Sequence, residues 1–194
     1  MLHPDVELRY LHAEIGYGLI AKRFIPRGTI TWAMCELEQV FSPAAYAKLP
    51  QAYRPYLEKY AYATSSGDHI LCCDFGRYMN HSCEPNSLTL PDAEIEVAVR
   101  DILPGDQITD DYGTLNLEVD LHCLCGTPEC RGVVRGDDLL RYQEQWESVA
   151  HSALAVAAGV DQPLAPFVPE GLEERIAALL KARDNVLGPS GVSG

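Results

Sequence analysis

Apolar and polar residues alternate at Val6, Leu8 and Tyr10 and again at Ile95, Val97 and Val99, the two-residue period of half-buried strands. Ile25-Pro26-Arg27-Gly28-Thr29-Ile30 and Leu103-Pro104-Gly105-Asp106-Gln107-Ile108 read as turns between strands, because proline presets φ and glycine accepts a positive one. Between these β segments, Ser42 and Pro43 predict the start of a helix, with a second short helix over residues 52–59. Beyond Gly136 the period lengthens. Asp137 can cap a helix carrying Leu140, Trp146, Val149 and Ala153 that Gly159 ends, and Pro163, Pro166 and Pro169 form a rigid connector. Leu172, Ile176, Leu179 and Leu180 then make the apolar stripe of a last helix, ahead of a frayed tail. These C-terminal helices either pack on the body or form a homodimer contact.

A chain of 194 residues reads as one domain with a true core. It contains no apolar run of the roughly 18 residues that a membrane helix needs, and its start has no basic region followed by an apolar one. A soluble, non-secreted protein without membrane contact is expected: cytoplasmic in a bacterium, nuclear or cytoplasmic in a eukaryote. The formal charge of −13 argues against direct nucleic-acid binding and suits a cationic partner such as a lysine-rich tail.

The seven cysteines are an odd number, and their clustering favours metal over a disulfide framework. Cys123-Leu124-Cys125-Gly126-Thr127-Pro128-Glu129-Cys130 supplies three thiolates around a bend, and a tetrahedral structural Zn²⁺ site needs a fourth ligand. Cys83 is the candidate; His122, next to Cys123, is the strained alternative. Metal binding would supply folding energy to a loop with few apolar residues. Cys35, Cys72 and Cys73 are left as free thiols. Adjacent strand residues face opposite ways, so Cys72 and Cys73 read as core thiols.

At these residues the chain resembles the SET-domain protein lysine methyltransferases. Gly16-Tyr17-Gly18-Leu19 is similar to the family's cofactor loop, and Arg77-Tyr78-Met79-Asn80-His81-Ser82-Cys83-Glu84-Pro85-Asn86 to its central signature. Gly105-Asp106-Gln107-Ile108-Thr109-Asp110-Asp111-Tyr112-Gly113 resembles the catalytic-tyrosine segment, and residues 123–132 resemble the post-SET cysteine loop. The resemblance implies an α+β, mainly β fold of short sheets with a knot-like C-terminal segment. It implies a SET domain over 1–118 with a helical insert near 42–62, a post-SET zinc loop over 119–135, and a helical extension over 136–194.

The implied activity is S-adenosylmethionine-dependent methylation of lysine on a basic protein, histone or histone-like. Tyr112 takes the catalytic role, orienting the amine and supporting the transferring methyl. Gly16, Tyr17, Gly18, Arg77, Asn80, His81, Tyr112 and Leu124 would meet the cofactor, with Leu124 capping its adenine and His81 acting through its main chain rather than as a base. Cys83, Cys123, Cys125 and Cys130 would hold Zn²⁺. Tyr60 and Tyr62, two apart on one strand face, add a wall to the substrate channel.

The chain departs from the family at Asp110, where the pattern has an aromatic that limits methyl number, and at Gln107, where it has glutamate. A channel carboxylate would favour the ammonium over the reactive amine by about 4 kcal/mol at 4 Å and an effective dielectric of 20. Asp110 turns to solvent or an arginine, holds a water beside the amine, or marks an altered substrate. The alternative functions are a catalytically silent SET-like module binding basic peptides and a zinc-stapled interaction domain without cofactor.

Overall fold

The computed structural model describes residues 1–90, 94–168 and 171. The first six strands are β1 (Val6–His12), β2 (Gly16–Ala21), β3 (Ile30–Ala33), β4 (Gln39–Phe41), β5 (Ala61–Ala63) and β6 (His69–Leu71). Six more follow: β7 (Asn80–His81), β8 (Ser87–Leu90), β9 (Ile95–Ala98), β10 (Gln107–Asp110), β11 (Leu121–His122) and β12 (Val133–Val134). Helices α1 (Pro43–Ala47) and α2 (Arg54–Tyr60) lie between β4 and β5, and α3 (Asp138–Leu154) follows β12. The strands form small sheets ordered β1-β2-β10-β7, β3-β9-β8, β4-β6-β5 and β11-β12. Among the described residues, no helix is long and apolar enough to cross a membrane.

Two apolar clusters hold the sheets. Val6, Leu19, Ala21, Ile25, Met79, Ala98, Ile102 and Ile108 pack around the four-stranded sheet. Ile30, Ala33, Leu90, Ile95 and Val97 face Ala150, Ala153 and Leu154 of α3, together with Leu164. The two predicted turns lie side by side, joined by reciprocal backbone hydrogen bonds between Ile25 and Ile102, both 2.9 Å. Gly28, at φ +91°, is obligatory for a second reason: a Cβ there would sit 2.9 Å from the Ala153 carbonyl oxygen at the end of α3.

The expected helix after Gly136 forms, but its buried face differs. Trp146, Ala150, Ala153 and Leu154 point inward, whereas Leu140 is 84% exposed. Six residues at about 100° each put Leu140 roughly 240° around the helix from Trp146, so the two cannot share a stripe. Asp137 occupies the N-cap without a capping hydrogen bond, its carboxylate accepting from Arg141 at 2.6 Å instead, and the α-helix stops at Leu154, with Gly159 closing a following 3₁₀ turn. Gln162 then clasps the chain back on the body, its Nε2 donating to the Gly28 carbonyl at 2.8 Å and its Oε1 accepting from the Ile30 N–H at 2.9 Å. The predicted last helix, with Leu172, Ile176, Leu179 and Leu180, and the dimer contact it was to offer, lie outside the described residues.

Ser42 caps α1 as expected, accepting from the Ala45 N–H at 3.3 Å. Tyr60 and Tyr62 do not share a strand: Tyr60 ends α2 and Tyr62 is the middle residue of β5. The change of backbone between them sends the rings apart. Tyr60 packs on Tyr78, with centroids 5.2 Å apart, and Tyr62 meets Trp32 edge to face at 6.5 Å.

The docking of α3 rests on a close approach at Gly113, where a Cβ would lie 2.7 Å from the Trp146 ring. Gly113→Ala is therefore expected to lose about 1–3 kcal/mol of stability in denaturant unfolding. An unchanged midpoint would mean that α3 does not seat on this loop.

Candidate active site and metal cluster

Pairing of β10 with two other strands assembles the site. It runs antiparallel to β2, Ile108 opposite Leu19, and parallel to β7, with Thr109 opposite Asn80 and Asp110 opposite His81. The glycine loop, the central signature and the tyrosine segment thus become neighbours in one sheet. Gly18 can be no larger, since a Cβ would stand 2.7 Å from Leu11 and 2.9 Å from the Asn80 amide. That amide donates to the Tyr17 carbonyl at 3.0 Å and ties the loop to the signature.

A small cleft of about 70 Å³ lies there, lined by Ile15, Tyr17, Lys59, Tyr60, Arg77, Tyr78, Asn80 and Tyr112. The structure thus gathers Tyr17, Arg77, Asn80, Tyr60 and Tyr112 from the sequence candidates. Ile15, Lys59 and Tyr78 were not anticipated, although each stands beside a residue that was. Tyr78 anchors the wall: Tyr17 packs on it at 5.8 Å and the Arg77 guanidinium at 5.5 Å. Arg77 donates from one terminal nitrogen to the Cys72 carbonyl at 2.8 Å, while its Nε is buried without a protein partner. A buried guanidinium N–H without a protein acceptor is an unpaired donor in need of one.

The Tyr112 hydroxyl donates to the Met79 carbonyl at 2.7 Å. Burial pushes this phenol well above its ordinary pKa, so it stays neutral, and because its proton is committed, its oxygen faces other groups as an acceptor. The Tyr112 backbone N–H donates to His81 Nδ1 at 3.1 Å. Burial lowers the His81 pKa and favours neutral imidazole, so with Nδ1 accepting, Nε2 carries the proton. His81 Nε2 lies 3.3 Å from Cys83 Sγ.

Cys83 belongs to the cysteine cluster. Ligand atoms of His81, Cys83, Cys123 and Cys125 lie within 4.8 Å of one another, and Cys83 Sγ and Cys123 Sγ are 3.7 Å apart. Thiolates at 2.3 Å on a tetrahedral Zn²⁺ are separated by about 3.8 Å, so the donor set fits that ion. Cys130, the remaining sequence candidate, stands outside this group of four, and its sulfur accepts the Gly132 N–H at 3.4 Å. The loop is closed by β11 pairing with β12 and by the Cys123 N–H donating to the Gly132 carbonyl at 2.9 Å. His122 is exposed on β11 and outside the cluster. Leu124 is 70% exposed and does not line the cleft.

Arg131 joins the loop to the tyrosine segment. Its guanidinium pairs with buried Asp111 at 2.5 Å and Asp138 at 3.5 Å, and covers the rings of Tyr142 and Trp146. Its backbone N–H donates to Cys83 Sγ at 3.3 Å. This staple carries no motif of its own.

Residues 16–113 match the SET domain family. The chain belongs to the SET domain family. It is 28% identical over 144 residues to histone-lysine N-methyltransferase ASHH2 of Arabidopsis thaliana, covering 68% of this chain and 8% of that protein. It is 31% identical over 144 residues to histone-lysine N-methyltransferase ash1 of Drosophila melanogaster, covering 69% and 6%. The chain therefore spans under a tenth of the length of these two curated relatives. Among solved structures, the methyltransferase domain of human histone-lysine N-methyltransferase SETMAR aligns with a TM-score of 0.49 and 21% identity, over 69% of this chain and 58% of that one. The mainly β SET fold expected from the four motifs is the fold observed.

Asp110 departs from the family pattern without turning to solvent or an arginine. It is 2% exposed and accepts hydrogen bonds from the Thr89 hydroxyl at 2.7 Å, the Thr89 N–H at 3.3 Å and the Asp111 N–H at 2.7 Å. Burial pushes its carboxyl up to about 7, against the lowering effect of these bonds. A carboxyl with a raised folded pKa binds protons on folding, so stability falls as pH rises from about 4 to about 7. Asp110→Asn keeps the acceptor for both N–H groups and is expected to gain up to ~4 kcal/mol over wild type at pH 8, and little at pH 4, in parallel melts. Equal differences at both pH values would remove Asp110 as the titrating group.

Proposed function

We propose that this chain is an S-adenosylmethionine-dependent protein-lysine N-methyltransferase. The observation that carries the reading is the juxtaposition of Tyr112, its proton fixed on Met79, with a cleft lined by Tyr17, Arg77 and Asn80. The similarity to histone-lysine N-methyltransferases supports the same reaction class.

S-adenosylmethionine, when bound, supplies an electrophilic methyl group on a sulfonium. Arg77 and Lys59 are the cationic side chains that line the cleft for a carboxylate, and Tyr17, Tyr60 and Tyr78 offer ring faces to apolar and cationic parts. Gly16 and Gly18 let the main chain approach closely. Asn80 holds the Tyr17 carbonyl in place, and the His81 side chain acts below the cleft as a positioning group.

A substrate lysine must arrive as a neutral amine, and burial beside a positive charge lowers its pKa from about 10.4. Tyr112 cannot remove that proton, because it stays a phenol whose hydrogen is engaged. Its oxygen can accept an amine N–H and so aim the nitrogen lone pair, and can face the polarised methyl hydrogens. Catalysis would then be alignment and desolvation rather than acid–base transfer. Cys83, Cys123, Cys125 and Cys130 remain the proposed Zn²⁺ ligands, with His81 donating Nε2–H to Cys83 rather than binding the ion. A donor hydrogen bond to a coordinated thiolate holds the ligand without occupying a coordination position.

The substrate is proposed to be lysine on a basic protein, histone or histone-like, in keeping with the charge of −13. The second reading, a silent module that holds basic peptides, draws on the buried acid at Asp110. Labelled methyl groups should pass from S-adenosylmethionine to lysine in a panel of lysine-rich proteins, and Tyr112→Phe should reduce this at least 100-fold with cofactor affinity within about threefold. Tight cofactor binding with no label on any protein of the panel would favour the silent module.

Removing zinc with a chelator, or Cys125→Ser, is expected to weaken cofactor binding at least tenfold in calorimetry, because Cys83 follows the cleft-lining signature. Unaltered binding would confine the metal to the loop itself.

A further inference from the structure

A second group of metal-ligand side chains lies away from the cysteine loop. Cys35 follows β3, Glu38 precedes β4, and Cys73 follows β6, the antiparallel neighbour of β4. The Glu38 N–H donates to the Cys35 carbonyl at 3.2 Å, a turn that brings their side chains together. Cys35 Sγ and Cys73 Sγ are 3.8 Å apart, and Glu38 Oε1 is 3.7 Å from the first and 3.5 Å from the second. Tetrahedral Zn²⁺ with Zn–S near 2.3 Å and Zn–O near 2.0 Å requires S···S edges of about 3.8 Å and S···O edges of about 3.5 Å. The three atoms already form that face.

The carboxylate is aimed. Its Oε2 accepts the Cys73 N–H, leaving Oε1 toward both sulfurs. The Glu38 side chain is fully buried, and among the described residues no lysine, arginine or histidine pairs with it; the nearest cation-forming atom is the Met1 nitrogen, 3.8 Å from Oε1. Two thiols and a buried carboxylate, with no side-chain cation beside them among the described residues, make a donor set without a counter-charge. A divalent cation answers this arrangement: it replaces both thiol protons, which leave to solvent, and neutralises two of the three negative charges.

We infer that Cys35, Glu38 and Cys73 form a second binding site for a thiophilic divalent cation of the Zn²⁺ class, with the fourth position open to water on the side of exposed Cys73. Soft sulfur donors exclude Mg²⁺ and Ca²⁺, and the small triangle suits tetrahedral rather than octahedral coordination. The site would pin the β3–β4 connection to the end of β6, two segments whose register is otherwise set by a three-residue ladder.

The experiment is zinc content after reconstitution under reducing conditions and removal of excess ion. Wild type should retain one more Zn²⁺ per chain than Cys73→Ser, and Cys125→Ser should lose a different ion, so that the double variant retains neither. The same subtraction with Glu38→Gln should weaken the site at least tenfold in chelator competition while both thiols remain. If a variant does not fold, ¹¹³Cd²⁺ spectra of the wild type decide: two resonances of different sulfur content support the site, and a single one overturns it. Equal zinc in wild type and Cys73→Ser overturns it too, as does a Cys35–Cys73 disulfide persisting in the reduced, zinc-loaded protein.

Discussion

A buried ion pair between Asp111 and Arg131 holds together the parts on which the candidate site depends. Asp111 is 1% exposed, and one of its oxygens receives both the Arg131 guanidinium and the Gly113 N–H. Arg131 comes from the cysteine loop, Asp111 from the residue before Tyr112, and Asp138, the arginine's second partner, from the first turn of α3. The tyrosine segment, the cysteine loop and the start of α3 therefore meet on one guanidinium. Such a pair adds little net stability over an apolar substitute, but removing one member strands the other at a cost of about 3–5 kcal/mol. Its contribution is to geometry: it allows one placement of the loop relative to the tyrosine. The metal cluster and the arginine then divide the work, the first setting the loop's internal order and the second its position.

From this pair the order passes through His81. The imidazole takes the Tyr112 N–H on one nitrogen and offers the other to Cys83, so the backbone that presents the phenol and a thiolate of the cluster share one rigid ring. A shift of Cys83 has to be absorbed by the imidazole or by Tyr112. The Tyr112 hydroxyl is held separately by Met79, two residues before His81. Both ends of the tyrosine thus refer to the central signature, which explains how a short parallel pairing of β7 and β10 suffices to fix it.

The parts of this arrangement visible in the sequence are those in which one short segment carries its own chemistry. The cysteine loop, the glycine turn, the central signature and the Ser42 cap each need only local spacing to be read. What was not legible depends on contacts between segments. Arg131 looks like any loop arginine until Asp111 and Asp138 are folded around it. Lys59 entered the cleft only because α2 ends at Tyr60, and the same helix end separated Tyr60 from Tyr62, which an uninterrupted strand would have kept on one face. Leu140 was assigned to the buried stripe by its hydrophobicity, but the angular position of Trp146 decides which side of α3 faces inward, and Trp146 is fixed by Gly113. Cys35 and Cys73 lie far apart in the chain, and only the β4–β6 ladder makes them neighbours.

The interior of the protein is unusually acidic for a fold proposed to receive a cation, and the acids are unequal. Glu38 is oriented by a backbone N–H; Asp110 has all three of its hydrogen bonds from Thr89 and Asp111; Glu96 has one oxygen buried with no partner. Burial raises Glu96 well above the carboxylate range, with Asp110 contributing, so these two do not both stay charged near neutral pH. Under the proposed activity this has a definite consequence. Asp110 is buried and does not line the cleft, so an ionised Asp110 would favour a substrate ammonium only through its charge, and a protonated one would not. With a carboxyl near 7, the two states are comparably populated in the physiological range, and the approach of a sulfonium or an ammonium would shift the balance toward the charged form. The hydroxyl and amide donors that surround Asp110 limit that shift, because a carboxylate already saturated with hydrogen bonds attracts a further cation less than a bare one.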